Sequence, residues 1–164
     1  MRRITGVLMI RIRNILSGGL TMAMMLSLGA CITIVTKEYA EAKECLALNV
    51  YHEARGESEE GQYAVAHVTM NRVDSSKHGN TVCEVVYARK QFSWTWQIDD
   101  HSPKDLYAYH KAKLIAADVL RERVEDNTGG ADHYHADYVS PNWATEEYMN
   151  KTTTIGTHIF YKAK

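Results

Sequence analysis

The stretch Tyr51-His52-Glu53-Ala54-Arg55-Gly56-Glu57 constrains the fold more than any other, because an apolar helix there meets a chain break with a carboxylate in its last turn. Leu46, Asn49, Val50 and Glu53 recur at helical spacing, which places Glu53 on the face that packs into a core. A carboxyl so placed borders low-dielectric surroundings and holds its proton more tightly than one in water. Gly56 is expected in the left-handed conformation that ends a helix, and Ser58 with Glu59 and Glu60 reads as the N-cap and first turn of the next. The competing reading is a structural ion pair between Glu53 and Arg55 or another cation.

The 164 residues suffice for one domain of ordinary size after a targeting segment, and a net charge of −1 lacks the clustered basic excess of a nucleic-acid binder. Nucleic acid is therefore not an expected partner. Arg2, Arg3, Arg11 and Arg13 precede an uncharged run from Ile15 to Val35, whose length approaches the roughly 20 apolar residues that span a bilayer. The positive flank predicts a cytoplasmic amino terminus and an exported remainder, with the membrane as a partner through residues 15–35. Leu28-Gly29-Ala30-Cys31 also resembles the lipobox at which bacterial lipoproteins are cleaved and acylated, although Ile32 to Val35 stay apolar beyond it. Retained anchor, cleaved signal and lipoprotein all lead to export, to the periplasmic or cell-envelope face. In an oxidising compartment Cys45 and Cys83 are candidates for a disulfide; two buried free thiols are the alternative, since spacing does not show whether the side chains meet.

The expected organisation is a signal or membrane-anchor segment over residues 1–36, a polar linker over 37–44 and a catalytic domain over 45–164. Helices are expected from about Cys45 to Ala54, from Glu59 to Val73 with Val65, Val68 and Arg72 on one face, and from a Thr81–Glu84 capping box through Tyr87. A long helix is read from Ser102-Pro103 to about Val124 on the pattern Leu106, His110, Leu114, Ala117 and Leu120. Asn127 to Gly130 stops it. His133 to Val139 and Thr153 to Tyr161 then read as two short strands around a loop with Pro141 and Trp143. The fold class is α+β, mostly helical with a small β element near the carboxyl end, preceded by a membrane-targeting helix.

Taken in order, Tyr51 to Glu57, Asn71-Arg72-Val73, Asn80 to Cys83, Gln91-Phe92-Ser93-Trp94, Gly130 with His133-Tyr134-His135, Pro141 with Trp143, and Ile155-Gly156 with His158 and Phe160-Tyr161 resemble the SleB-type cell-wall hydrolases, the family of the spore-cortex-lytic enzymes. The resemblance runs from about Cys45 to Tyr161. It implies a lysozyme-like catalytic domain acting on peptidoglycan, with Glu53 as the principal catalytic residue; the family has been described both as lytic transglycosylases and as amidases. Asp132 and Asp137 stand where neutral hydroxyl residues would be expected beside the His133-Tyr134-His135 block.

Hydrolytic glycosidases usually work with two carboxylates, whereas this corner offers one well-placed Glu; Glu57 follows the turn and could face the cleft, but among Glu59 and Glu60 it reads rather as a helix-dipole partner. A lytic transglycosylase needs no second carboxylate, because the muramic acid 6-hydroxyl attacks C1 of its own sugar while one group donates and then accepts a proton. Phe92, Ser93, Trp94, Tyr134, His135 and Trp143 supply the aromatic faces and polar rims of a glycan groove, and Arg55 is placed to meet substrate carboxylates. Core packing is the plainer role for any single aromatic. A rival enzyme class is a zinc amidase built on His52, His133, His135 and His158, against which stands the lack of a helical histidine pair at ligand spacing. No cofactor or metal is therefore expected. A non-catalytic wall-binding module would keep the aromatics without needing Glu53.

Overall fold

The computed structural model describes residues 21–164, with side chains from Thr36 onward. The chain divides into two units, residues 1–36 and 37–164. The four arginines and residues 15–20 of the apolar run lie outside the described residues, as do the side chains of 21–35. Among the described residues no helix is long and apolar enough to cross a membrane.

Helix α1 spans Thr21–Ala54, so it runs through the polar stretch expected to be a linker. The reason is local: Lys37-Glu38-Tyr39-Ala40-Glu41-Ala42-Lys43-Glu44 is built of strong helix formers, with Lys37 and Glu41 paired one turn apart. Helix α2 follows over Glu59–Ser75, its Ser58 hydroxyl accepting from the Gly61 N–H. Between them Glu57 N–H donates to the Ala54 carbonyl. Gly56 is not among the residues with positive φ, so the corner turns without the left-handed glycine expected there.

Helix α3 covers Val82–Tyr87 behind the Thr81–Glu84 capping box, and α4 is a single turn, Trp94–Gln97. Helix α5 is shorter than expected, Leu106–Leu120. Asp105, not Ser102, caps it by accepting from the Tyr107 and Ala108 N–H groups, while the Tyr51 hydroxyl accepts from Lys104 N and Asp105 N and fixes the chain just upstream. The buried face of α5 also differs. Leu106, the first residue of the expected stripe, is 74% exposed; Tyr109, Ala112, Ile115, Ala116 and Val119 turn inward instead. Both stripes have helical period, and the small residues of the second allow α5 to approach α2, against which it packs.

Three strands close the chain: β1 His133–Ala136, β2 Met149–Ile155 and β3 His158–Ala163, in the antiparallel order β1-β3-β2. The stretch Thr153 to Tyr161, expected as one strand, is therefore a hairpin. Gly156 turns it at φ 57, a left-handed conformation that favours glycine, and a Cβ there would displace the Glu57 carboxylate, whose Oε2 lies 2.3 Å away.

The core has two parts. Leu46, Val50, Tyr51, Val85, Val86, Phe92, Ile115 and their neighbours fill the space among the helices, and Ala64, Val68, Ala131, Ile155 and Phe160 join α2 to the sheet. Full burial of a side chain such as Leu46 or Phe160 contributes about 1.5–3 kcal/mol. Tyr134 packs against both parts. A disulfide between Cys45 and Cys83 joins α1 to α3.

Candidate active site

Helical period brings Glu53 to the end of α1 on the side of Leu46, Asn49 and Val50, all fully buried, and leaves its own carboxyl half-buried. Strand alternation brings Tyr134 to the inner face of β1, opposite Phe160 of β3. The two meet: the Tyr134 hydroxyl donates to Glu53 Oε2 at 2.8 Å. Burial raises the Glu53 carboxyl above its ordinary value, and the Tyr134 hydrogen bond and the charge of Arg72 oppose that rise without cancelling it.

Arg72 is the unexpected member. It sits on the apolar face of α2, 6% exposed, and its guanidinium lies 4.9 Å from the centre of the Phe92 ring. Its Nε donates to the Asp132 carbonyl at 2.7 Å, while Nη1 is buried without a hydrogen-bond partner among the described residues. Asp132 is itself buried: burial would raise its carboxyl, but hydrogen bonds from His133 and the Ala163 N–H outweigh that and hold it low. Arg72 thus sets a buried cation close enough to act on both Glu53 and Tyr134. The sequence signal for Arg72 was its place on the Val65–Val68 face, where a cation is costly unless it is used.

Buried polar groups also fix the far side of α1. Trp94 Nε1 donates to Asn49 Oδ1, Asn49 Nδ2 donates to Thr69 Oγ1, and Thr69 donates to the Val65 carbonyl, joining α4, α1 and α2. His52 stacks on Trp94 with centroids 4.4 Å apart and its Nε2 meets the His101 carbonyl at 3.0 Å.

The expected groove residues separate. Phe92 is 2% exposed beneath Arg72 and Trp94 is buried on His52, so both are packing residues and neither offers a free face. Ser93 is exposed at the start of α4 and makes no capping bond. Arg55 is exposed, donates to the Tyr51 carbonyl and lies over the Tyr51 ring; it pairs with neither Glu53 nor Glu57. It borders a surface cavity of about 410 Å³ shared with His52, Ile98 and Asp100. His135 and Trp143 lie on the other side of the sheet from Tyr134, where His133, His135, Trp143 and Tyr161 form one ring cluster and His135 Nε2 meets the Tyr161 hydroxyl. The period-two alternation that turns Tyr134 inward turns these outward. It also parts His133 and His135 from His158, which pairs across the sheet with Ala136 on the inner face. Among the described residues no group of three or more His, Cys, Asp or Glu side chains is arranged to hold a metal.

Glu57 is engaged at the turn between β2 and β3. Its carboxylate accepts from the Thr157 hydroxyl at 2.7 Å and the Thr157 N–H at 3.2 Å. Burial would raise it, but these bonds prevail and lower it.

Residues 56–161 match the model of the cell wall hydrolase family, a segment that begins just after Glu53. The spore cortex-lytic enzyme of Bacillus cereus is 32% identical over 124 residues, covering 73% of this chain and 43% of that protein. That of Bacillus subtilis is 32% identical over 120 residues, covering 70% and 35%. The catalytic domain of the Bacillus cereus SleB protein superposes with a TM-score of 0.58 at 32% identity over 74% of this chain and 91% of that one. The catalytic domain of the germination-specific lytic transglycosylase SleB from Bacillus anthracis gives 0.59, again at 32% identity, with 74% and 93% covered. The chain belongs to the cell wall hydrolase family. It spans less than half the length of these curated relatives.

Proposed function

We propose that the domain cleaves the glycan strand of peptidoglycan between N-acetylmuramic acid and N-acetylglucosamine as a lytic transglycosylase, with Glu53 as its general acid and base. The observation that carries this reading is a lone carboxyl with a raised pKa at the α1–α2 corner, while the other acid of that corner, Glu57, is engaged by Thr157. Protonated Glu53 gives its proton to the glycosidic oxygen as the bond to C1 breaks. The resulting carboxylate accepts the proton of the muramic acid 6-hydroxyl as that oxygen closes on C1, leaving a 1,6-anhydro end and a regenerated acid. The Tyr134 hydroxyl and the Arg72 charge stabilise the carboxylate between the two transfers. The name of the Bacillus anthracis structure, a lytic transglycosylase, supports the same chemistry.

Mass spectrometry of muropeptides released from purified sacculi tests it. Anhydromuramoyl ends are expected; reducing ends would identify a hydrolase, and free stem peptides an amidase. Glu53→Gln should lower the release about 10²–10⁴-fold with the fold intact. Retention of more than roughly a tenth of the activity would remove Glu53 from this role.

We further read the chain as exported. The Cys45–Cys83 disulfide and the arginine-flanked run at residues 15–35 support this. Full-length protein should fractionate with membranes, and Cys31→Ser separates acylation from a spanning anchor, because only a lipoprotein would fail to mature.

A further inference from the structure

Between α3 and α4 a surface groove of about 360 Å³ is lined by Tyr87, Arg89, Lys90, Thr95 and Trp96, none of which belongs to the Glu53 site. Trp96 is 61% exposed and Tyr87, which stacks with His101, 46%, so an open indole stands beside two cations with no acid in the lining. That is a local charge opposite in sign to the whole chain, whose net charge is −1. Lys90 holds φ 65, a left-handed conformation that glycine adopts without cost and that costs other residues about 1–2 kcal/mol. No salt bridge ties the Arg89 or Lys90 side chain down among the described residues. The groove is joined to α1 by rings: Tyr87 meets Trp94 edge-on at 5.8 Å, and Trp94 stacks on His52, the residue beside Glu53.

We infer that this groove is a second binding site for the wall polymer, taking a pyranose ring on Trp96 and the carboxylates of a peptide-bearing muramic acid on Arg89 and Lys90. A sugar face is apolar and suits an open indole, and a flexible anionic side branch suits cations free to follow it. The neutral ring alone would need no cations, and a free anion would need no aromatic platform. The occupant that uses both is a sugar carrying carboxylates, which the polymer supplies at every second residue. This inference rests on peptidoglycan being the substrate.

Binding of the full-length Glu53→Gln protein is measured by calorimetry against two soluble probes, a disaccharide–tetrapeptide oligomer from digested walls and a neutral N-acetylglucosamine oligomer of equal length. The peptide-bearing probe should bind more tightly, and more weakly as salt rises. Lys90→Gly combined with Arg89→Gln should lower its affinity about tenfold while leaving the neutral probe unchanged, since charge-assisted contacts are worth about that much. Trp96→Ala should weaken both probes. Because Lys90→Gly relieves the backbone, the double variant should melt no lower than its parent, which separates lost binding from lost fold. Unchanged affinity for the peptide-bearing probe in the double variant, or equal loss for both probes, would overturn the assignment. Activity of the Glu53→Gln protein reports separately on the catalytic reading: high activity with groove-dependent binding would sink that reading and leave the groove.

Discussion

At the scale of the residue, the proposed chemistry turns on how two neighbours hold one carboxyl. The Tyr134 hydrogen bond favours the Glu53 carboxylate, so Tyr134→Phe should raise the Glu53 pKa further and carry the alkaline limb of the pH–rate profile to higher pH. An unmoved limb would take Tyr134 out of that role. Stability has its own sign. A carboxyl whose folded pKa lies above its unfolded one is held protonated by the fold, and the cost of ionising it grows as pH rises from the unfolded value through the folded one. Glu53→Gln should therefore melt higher than wild type at neutral pH, with the gain vanishing near pH 4, as a melting series would show. Arg72→Met should act the other way on the fold, since it strips a buried partner from the Asp132 carbonyl and a cation from the Phe92 ring.

At the scale of the element, the helices nearest the site were the most legible. Glu53 on the core face of α1, the Ser58 cap and the Thr81–Glu84 box follow from side-chain period and hydrogen-bond chemistry that a short window contains. What a short window misses is contact at long range. Which stripe of α5 turns inward is decided by the closeness of α2, and the hairpin turn at Gly156 lies against the carboxylate of Glu57, 99 residues earlier. The same limit hid Arg72, whose partners Asp132 and Tyr134 sit in or beside β1. It also merged two faces of one strand into a single groove, grouping His135 and Trp143 with Tyr134. Gly156→Ala tests the hairpin, because alanine is strained in a left-handed backbone and its methyl displaces the Glu57 carboxylate that accepts from Thr157. A loss of roughly 1–3 kcal/mol is expected in denaturant unfolding, more than an exposed turn would ordinarily show. The Cys45–Cys83 bond closes a sequence separation of 38 residues, and its removal by paired serines should cost about 2–4 kcal/mol.

At the scale of the whole molecule, buried imidazoles set the acid limit. Burial lowers His52, His67 and His158 below the ordinary 6.5, so the fold keeps them neutral. Protons then bind the unfolded chain first, and stability should fall as pH drops through that ordinary value toward the folded ones. Glu53 pulls oppositely, but one carboxyl stands against four rings, since burial lowers His78 as well. Thermal melts at pH 7.5 and 5.5 should show the lower midpoint in acid, and a flat response would contradict the burial of these histidines.

Tyr134 packs against both parts of the core and ends on Glu53, so the acidity of the site and the docking of the sheet rise and fall together. A fluctuation that lifts β1 from the helices admits water to Glu53, removes its hydrogen bond and returns it to an ordinary exposed carboxylate. In the proposed mechanism each such opening is a moment of lost catalysis without any unfolding of α1. On that proposal the working fraction measures how firmly a three-stranded sheet stays seated, and sub-denaturing urea should erode turnover together with amide protection in β1, before the helical circular dichroism begins to change.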